Sequence, residues 1–291
     1  MPEPVEHDEF IPVAARVHLS HAVVETLALD AGVDLLHIKG PALFPGLREP
    51  GRSSSDVDVL VAPGQAGRLE ATLAEHGWDR MTDVESGSAF QHAANWFHEN
   101  WGYVDVHAHW PGPKASPEEV YAAFAAGAHT QEIAHVACRV PNRTAQVLIL
   151  VLHAARTVGS PDDLELAWFA ASEEERAEVL AMVAELRAET AFAAGIGEID
   201  TVTGDRTADL WRYYSRGGTR LDEWRARIRA APNRREAARV LASAVLVNRD
   251  HLRMELGHQP SRREVAVRQW QRVCVLTREL AGAVATRVRG R

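Results

Sequence analysis

Gly51-Arg52-Ser53-Ser54-Ser55-Asp56-Val57-Asp58-Val59-Leu60-Val61 is the stretch on which the reading of this chain turns. From Ser55 onward, polar and apolar residues alternate with a period of two, the pattern of a strand with two unlike faces. Val57, Val59 and Val61 share one face, while Asp56 and Asp58 share the other with Leu60. Carboxylates this close repel each other unless a cation stands between them. Two of them, with room for water and phosphate oxygens, suit Mg²⁺, a hard cation that keeps several waters. An exposed strand start whose aspartates merely face water has the same local pattern, so the neighbouring segments decide.

Upstream, Val13, Val17, Val24, Leu27 and Ala31 recur at helical spacing, and Gly32 stands where a helix stop is expected. Val33-Asp34-Leu35-Leu36-His37-Ile38 then forms a short strand that ends in Lys39-Gly40-Pro41-Ala42-Leu43, a glycine turn opening a helix. Backbone amides at such a turn favour an anion. Lys39 and Lys114 are the only lysines among 32 basic residues. A compact ammonium suits phosphate in a way that a planar guanidinium does not replace. Lys114 falls in a Pro-rich loop and is expected to carry no such role. An ordinary turn that happens to hold a lysine is the plainer alternative for Lys39.

Downstream, Pro63-Gly64 closes the strand, and a helix is expected from Gln65 to His76 with Leu69 and Leu73 on one face. Short strands are expected over 78–81 and 89–98. Clear alternation returns in Gly102-Tyr103-Val104-Asp105-Val106-His107-Ala108-His109-Trp110, with Val104, Val106 and Ala108 inward and Asp105, His107 and His109 on the other face. After Pro111-Gly112-Pro113 the pattern turns helical. Ser116…Glu119, Ser172…Glu175, Asn233…Glu236 and Ser261…Glu264 have the spacing of capping boxes, and Val147 to Ala155 is nearly all apolar. Helical periodicity continues through 238–256 and 265–284. The expected class is α+β: a mixed sheet with flanking helices over residues 1–115, then an all-helical domain over residues 116–291.

Composition narrows the class further. With 291 residues, 46% hydrophobic and 25% charged, the chain has the make-up of an ordinary globular protein. No apolar run approaches the ~20 residues that span a bilayer, and residues 1–10 are acidic rather than signal-like. Cys138 and Cys274 stand far apart, which fits a reducing cytoplasm and argues against a disulfide framework or a cysteine zinc site. Residues 1–205 hold 32 acidic and 12 basic side chains, and residues 206–291 hold 8 and 20. The basic block is expected to dock on the acidic part and line the cleft opposite Asp56 with arginines, rather than hold nucleic acid.

A strand ending in glycine, a strand carrying Asp-x-Asp and a later strand carrying a third Asp occur here in a recognisable order. The chain resembles the nucleotidyltransferase fold of the polymerase β superfamily, and more closely a bacterial family described as uncharacterised nucleotidyltransferases. His37–Leu43, Arg52 with Ser55–Val61, and Val104–His107 carry the resemblance, which spans about residues 33–110 with a looser helical tail after Val147. It implies a metal-dependent transfer of a nucleoside monophosphate from a triphosphate such as ATP to an acceptor. Asp56 and Asp58 would bridge two Mg²⁺ or Mn²⁺ ions, and Asp105 would ligate the ion nearer the attacking group and accept its proton. Lys39, Gly40, Arg52, Ser55 and His107 become candidate contacts to the nucleotide. A small molecule, a peptide and RNA all stay open as acceptor. One departure matters: the superfamily follows its glycine with Ser, whereas Pro41 has no N–H to offer. Triphosphate binding would then fall to Lys39, Arg52 or the Ser53–Ser55 run.

Two other readings remain. His107-Ala108-His109 resembles the His-x-His strand of amidohydrolase barrels, in which two imidazoles share Zn²⁺. Such barrels carry that motif on an early strand and repeat strand and helix afterwards, unlike the helical run here. The third reading is a binding module that kept the fold and lost activity.

Overall fold

The computed structural model describes residues 11–52, 54–84, 90–158, 164–256 and 258–289. Ser53 and Ala89, which the sequence places in a phosphate loop and at a strand start, lie outside them. The first helix is α1 (Val13–Asp30). Strands β1 (Leu35–His37), β2 (Asp56–Val61), β3 (Asp79–Thr82), β4 (Ala93–His98) and β5 (Gly102–His107) form one sheet in the order β1-β2-β5-β4-β3. β2 and β5 run parallel, and the other neighbours are antiparallel. The parallel pair needs a crossover, supplied by α2 (Ala66–Glu75) and the β3–β4 pair.

The period of two divides the sheet as the sequence requires. Val57, Val59, Val61, Val104 and Val106 pack in one cluster with Val24 and Leu27 of α1 and Leu69 and Leu73 of α2. Each fully buried valine or leucine contributes about 1.5–3 kcal/mol, so this face fixes the register that sends the aspartates to the other side. On that side Leu36, Ile38, Leu60 and Trp110 join a larger cluster with the helices that follow.

Those helices are α3 (Pro117–Ala125), α4 (Arg143–Ala154), α5 (Glu173–Glu185), α6 (Glu189–Gly195), α7 (Ala208–Arg216), α8 (Arg220–Ala230), α9 (Arg234–Val245), α10 (Arg249–Leu256) and α11 (Arg262–Arg289). The boxes at Ser116 and Ser172 form reciprocally, as does the one at Ser261, while Asn233 caps α9 through the Glu236 amide. Residues 145–152 of α4 are buried without exception, the central helix that the apolar run predicts. The division expected near residue 115 falls where the Lys114 and Ala115 amides donate to the Leu186 carbonyl, and the larger cluster spans both sides of it.

Two departures are local. A hairpin, β6 (His129–Ile133) and β7 (Val136–Val140), interrupts the helical run. Its turn places Ala134 and His135 at positive φ, 47° and 65°, where a glycine or asparagine usually signals the bend, so the sequence carries no turn mark. The expected helix over 238–256 breaks at Leu246–Asn248, where the Val247 amide donates to Gln269 Oε1 of α11 and Asn248 stands before α10.

α4 and α6 approach closely at Gly195, where an added Cβ would press on the Val151 carbonyl oxygen and side chain. Gly195→Ala is expected to destabilise the fold by about 3 kcal/mol through overpacking against backbone that cannot yield. A urea midpoint close to that of the unsubstituted protein would contradict this packing.

Candidate active site

The turn after β1 is held from two directions. Gln146, buried on α4, accepts from the Phe44 amide (2.7 Å) and donates to the Ala42 and Pro141 carbonyls (3.0 Å each). Gln131 of β6 donates to the Pro41 carbonyl (2.6 Å). The helix start expected after Gly40 is a single 3-10 turn, Gly40–Ala42, too short to offer a full helix terminus. Gly40 sits at φ +61°, in the left-handed region that favours glycine. Lys39, fixed at the mouth of this turn, extends its ammonium to within 2.8 Å of Asp58 Oδ1.

Asp58 and Asp105 are register partners on the parallel pair β2 and β5, so their side chains stand side by side on one face. Like charges in that position destabilise a sheet. His107, two residues on, donates from Nε2 to the same Asp58 Oδ1 at 2.8 Å, and both side chains are 2% exposed. Ligand atoms of Asp58, Asp105 and His107 all lie within 4.8 Å of one another. Asp105 in turn accepts from the Asn95 amide on β4, whose own oxygen accepts from Thr82 Oγ1. That chain holds the carboxylate in place. Asp56 stands outside the 4.8 Å group, with Oδ1 near Ser54 Oγ (3.4 Å) and Ser55 Oγ (3.3 Å). Arg52 is exposed on the loop entering β2.

The electrostatics are unequal. Burial alone would push the Asp58 carboxyl up, but Lys39 and the His107 hydrogen bond hold it well below the usual carboxylate range. Asp56 is raised by burial and by the Asp58 charge. Asp105 is raised to about 7, by burial and by Asp58, against the Asn95 bond and Lys39. His107 is lowered to about 4 by burial, so the ring is neutral and its Nε2–H is the donor to Asp58. The site therefore holds more carboxylates than its cations neutralise.

Arg156 is the residue the sequence reading missed. It follows α4, lies 4.6 Å from the Trp110 ring centre, and donates to His92 Nε2. Lys39 stands 5.9 Å from the same ring. Burial lowers Arg156 to about 10, opposed by Asp58 and Asp105, so it remains a cation facing both aspartates. Its only sequence signal is an arginine just beyond a helix whose middle is apolar. The His107 Nδ1, Trp110 Nε1, His153 Nδ1 and Arg156 Nε atoms are buried without a partner among the described residues, an unusual concentration of unmet polar groups.

The basic block meets the acidic one at several points: Arg212 and Arg216 pair with Asp200, and Arg253 donates to the Arg80 carbonyl. Other arginines pair within the basic block, Arg229 with Asp209, Arg239 with Glu236 and Arg268 with Glu255. One alternative is corrected: His107 and His109 do not form a shared metal pair. β5 ends at His107, whose Nε2 serves Asp58, and His109 belongs to no metal-ready group among the described residues. A five-stranded mixed sheet is likewise not a barrel. Among the described residues, no helix is long and apolar enough to cross a membrane.

Residues 14–198 match the family model described as uncharacterised nucleotidyltransferase. No curated protein matches the chain. Among solved structures, lincomycin-bound lincosamide antibiotic adenylyltransferase LnuA is similar at 13% identity and a TM-score of 0.34, over 58% of this chain and 96% of that one. ANT(2'')-Ia in complex with adenylyl-2''-tobramycin is similar at 16% identity and 0.35, over 64% and 98%. An antigenic nucleotidyltransferase-like protein from Paracoccidioides brasiliensis is similar at 15% identity and 0.37, over 62% and 94%.

Proposed function

This chain belongs to the uncharacterised nucleotidyltransferase family, and from that premise we propose that it transfers a nucleoside monophosphate from a triphosphate to a small-molecule acceptor, at the cleft between β2, β5 and α4. The observation that carries the reading is the paired Asp58 and Asp105 on adjacent parallel strands, beside a lysine at a glycine turn. Asp56, Asp58 and Asp105 would hold the divalent ions. The fit rests on the donor set: three carboxylates on one face, one of them raised to about 7 by burial and by Asp58, outnumber the cations beside them. Oxygen donors of this kind favour Mg²⁺ or Mn²⁺ over Zn²⁺. When bound, such ions neutralise the triphosphate and stabilise the attacking and leaving oxygens.

The chain's own residues supply the rest. Lys39, 2.8 Å from Asp58 Oδ1, would turn its ammonium to a phosphate oxygen, leaving Asp58 free to hold an ion. Arg156, over the Trp110 ring, would offer the reacting phosphate a second fixed charge that needs no reorganisation. Asp105, oriented by Asn95, accepts the proton of the attacking group. His107 holds Asp58 in its ligating rotamer by its Nε2–H. Ser55 steadies Asp56, and Gly40 lets the backbone come close to the phosphates.

Calorimetric titration of each of the four common nucleoside triphosphates with Mg²⁺ tests this. One of them should bind, and binding should be lost without the metal; failure of all four contradicts the proposal. Lys39→Arg is expected to weaken that binding about 10-fold, because a guanidinium cannot fit the confined turn as a point charge. Lys114→Arg is expected to change nothing, since Lys114 pairs with Asp205 at the surface. Equal affinities for the two variants would leave Lys39 a turn residue only.

A further inference from the structure

We propose that the cavity bounded by α8, α10 and α11 is a binding site for a small organic anion, a ligand with an apolar body and a carboxylate or phosphate head. Its lining residues fall between Arg220 and Val275, beyond the residues 14–198 that the family model matches. The proposal therefore stands apart from the reading of the Asp58 cleft.

The fold opens this space at the break that ends α9. The chain is extended at Leu246, the Val247 amide turns to Gln269 Oε1 of α11 (3.0 Å), and a separate helix, α10, starts after Asn248. α10 is tied to the sheet, where Arg253 Nη1 donates to the Arg80 carbonyl of β3 (3.3 Å). Between α10, the start of α8 and α11 lies a cavity of about 610 Å³, within the ~300–1,000 Å³ of small-molecule sites. Room for a ligand is present in the structure as it stands.

The lining is apolar on its walls and basic where α8 and α11 meet. Val247, Leu252 and Val275 supply the apolar walls. Among the described lining residues, the charged groups are Arg220, Arg268 and Arg272 against one carboxylate, Glu255, which is already paired with Arg268. Glu223 of α8 accepts from the Tyr214 hydroxyl (3.0 Å) and from Arg227 Nη1 (3.4 Å). Positive charge is thus in excess. The Arg272 guanidinium is lowered by burial, then by Arg220, with Glu223 opposing, and further by Arg227 and Arg268. Like charges gathered at a partly buried wall disfavour one another, and an anion among them relieves that.

The same features select the ligand. A guanidinium fork matches the paired oxygens of a carboxylate or phosphate head. Bare inorganic phosphate would leave the apolar walls wet, whereas an apolar body covers them. Past the Glu255–Arg268 pair a second hollow of about 390 Å³ shares Leu252 and continues along Leu256 and Val267, so an extended chain has room to run on.

The probes are anilinonaphthalene sulfonate and its uncharged analogue phenylnaphthylamine, titrated by fluorescence against the full chain at neutral pH. The sulfonate should bind near one per chain, about 10-fold more tightly than the uncharged analogue. Arg272→Gln should weaken it about 10-fold, the loss of one charged contact. Arg239→Gln, at an exposed arginine of α9 outside the cavity, should match the unsubstituted protein. Because Arg272→Gln could disturb the helix packing, Val275→Trp provides a second test. It fills the cavity from a partly exposed wall without changing charge, and should abolish binding in a folded protein. Decanoate and decyl phosphate are then added as competitors, and displacement by one but not the other identifies the head the site takes. No binding of the sulfonate, equal binding of the uncharged analogue, affinity unchanged in both Arg272→Gln and Val275→Trp, or displacement by neither competitor overturns the proposal. None of these outcomes bears on the nucleotidyltransferase reading, which the triphosphate titrations test separately.

Discussion

Asp58→Asn is expected to lower nucleotidyl transfer by about 100-fold or more and to abolish Mg²⁺-dependent nucleotide binding, while leaving the fold intact. The carboxylate is the hub of the cleft: Lys39 and His107 both reach its Oδ1 at 2.8 Å, and its register partner is Asp105. Asparagine has the same shape but carries no charge, so it cannot complete a divalent site or restrain Lys39. The His107 Nε2–H can still donate to the amide oxygen, and the valine face of β2 is untouched. Circular dichroism should therefore report a folded variant whose metal affinity is gone. Metal affinity equal to that of the unsubstituted protein would remove Asp58 from the site.

Asp105→Asn should act in opposite directions on activity and stability. Transfer is expected to fall by about 100-fold or more, because the proton acceptor and one metal ligand are lost together. Stability of the metal-free protein at pH 8 is expected to rise by about 2 kcal/mol. The folded pKa of Asp105 is about 7, raised by burial and by Asp58, against an ordinary value of roughly 3.9 when unfolded. A raised carboxyl contributes stability that is fully present below the unfolded value and lost as pH climbs through the folded one. The full linkage is about 4 kcal/mol at 1.36 kcal/mol per unit, and roughly half survives solvent screening at a partly exposed group. Asparagine lacks the ionised form and escapes that loss, and it can still accept from Asn95. Urea unfolding at pH 4 and pH 8 checks this: the two proteins should differ little at pH 4 and diverge at pH 8. Saturating Mg²⁺ should restore the unsubstituted protein. His109→Ala should leave most of the activity, since His109 belongs to no ligand group.

Much of this site was legible because strands encode faces directly. The alternation in Ser55–Val61 and Gly102–His107 by itself puts Asp56, Asp58, Asp105 and His107 on one side, and the valines on the other. The pairing that brings Asp58 opposite Asp105 was not legible, since it depends on a parallel crossover through residues 62–101. Arg156 was hidden for a related reason. A residue far away in sequence reaches the cleft only through the packing of α4 on the sheet, and an arginine at a helix end carries no local mark. Gln146 shows the same limit: just before the apolar run it carries no mark, yet it anchors the turn after Lys39 by hydrogen bonds to Phe44 and Ala42.

The most direct measurement of the central claim is a crystal structure soaked with Mn²⁺ and a non-hydrolysable nucleoside triphosphate, read by anomalous scattering. The account predicts a peak ligated by Asp58 and Asp105, with the triphosphate running from it to Lys39 and Gly40 and Lys39 released from Asp58. A peak held by His107 and His109 without Asp58, or a triphosphate bound away from this cleft, would contradict it.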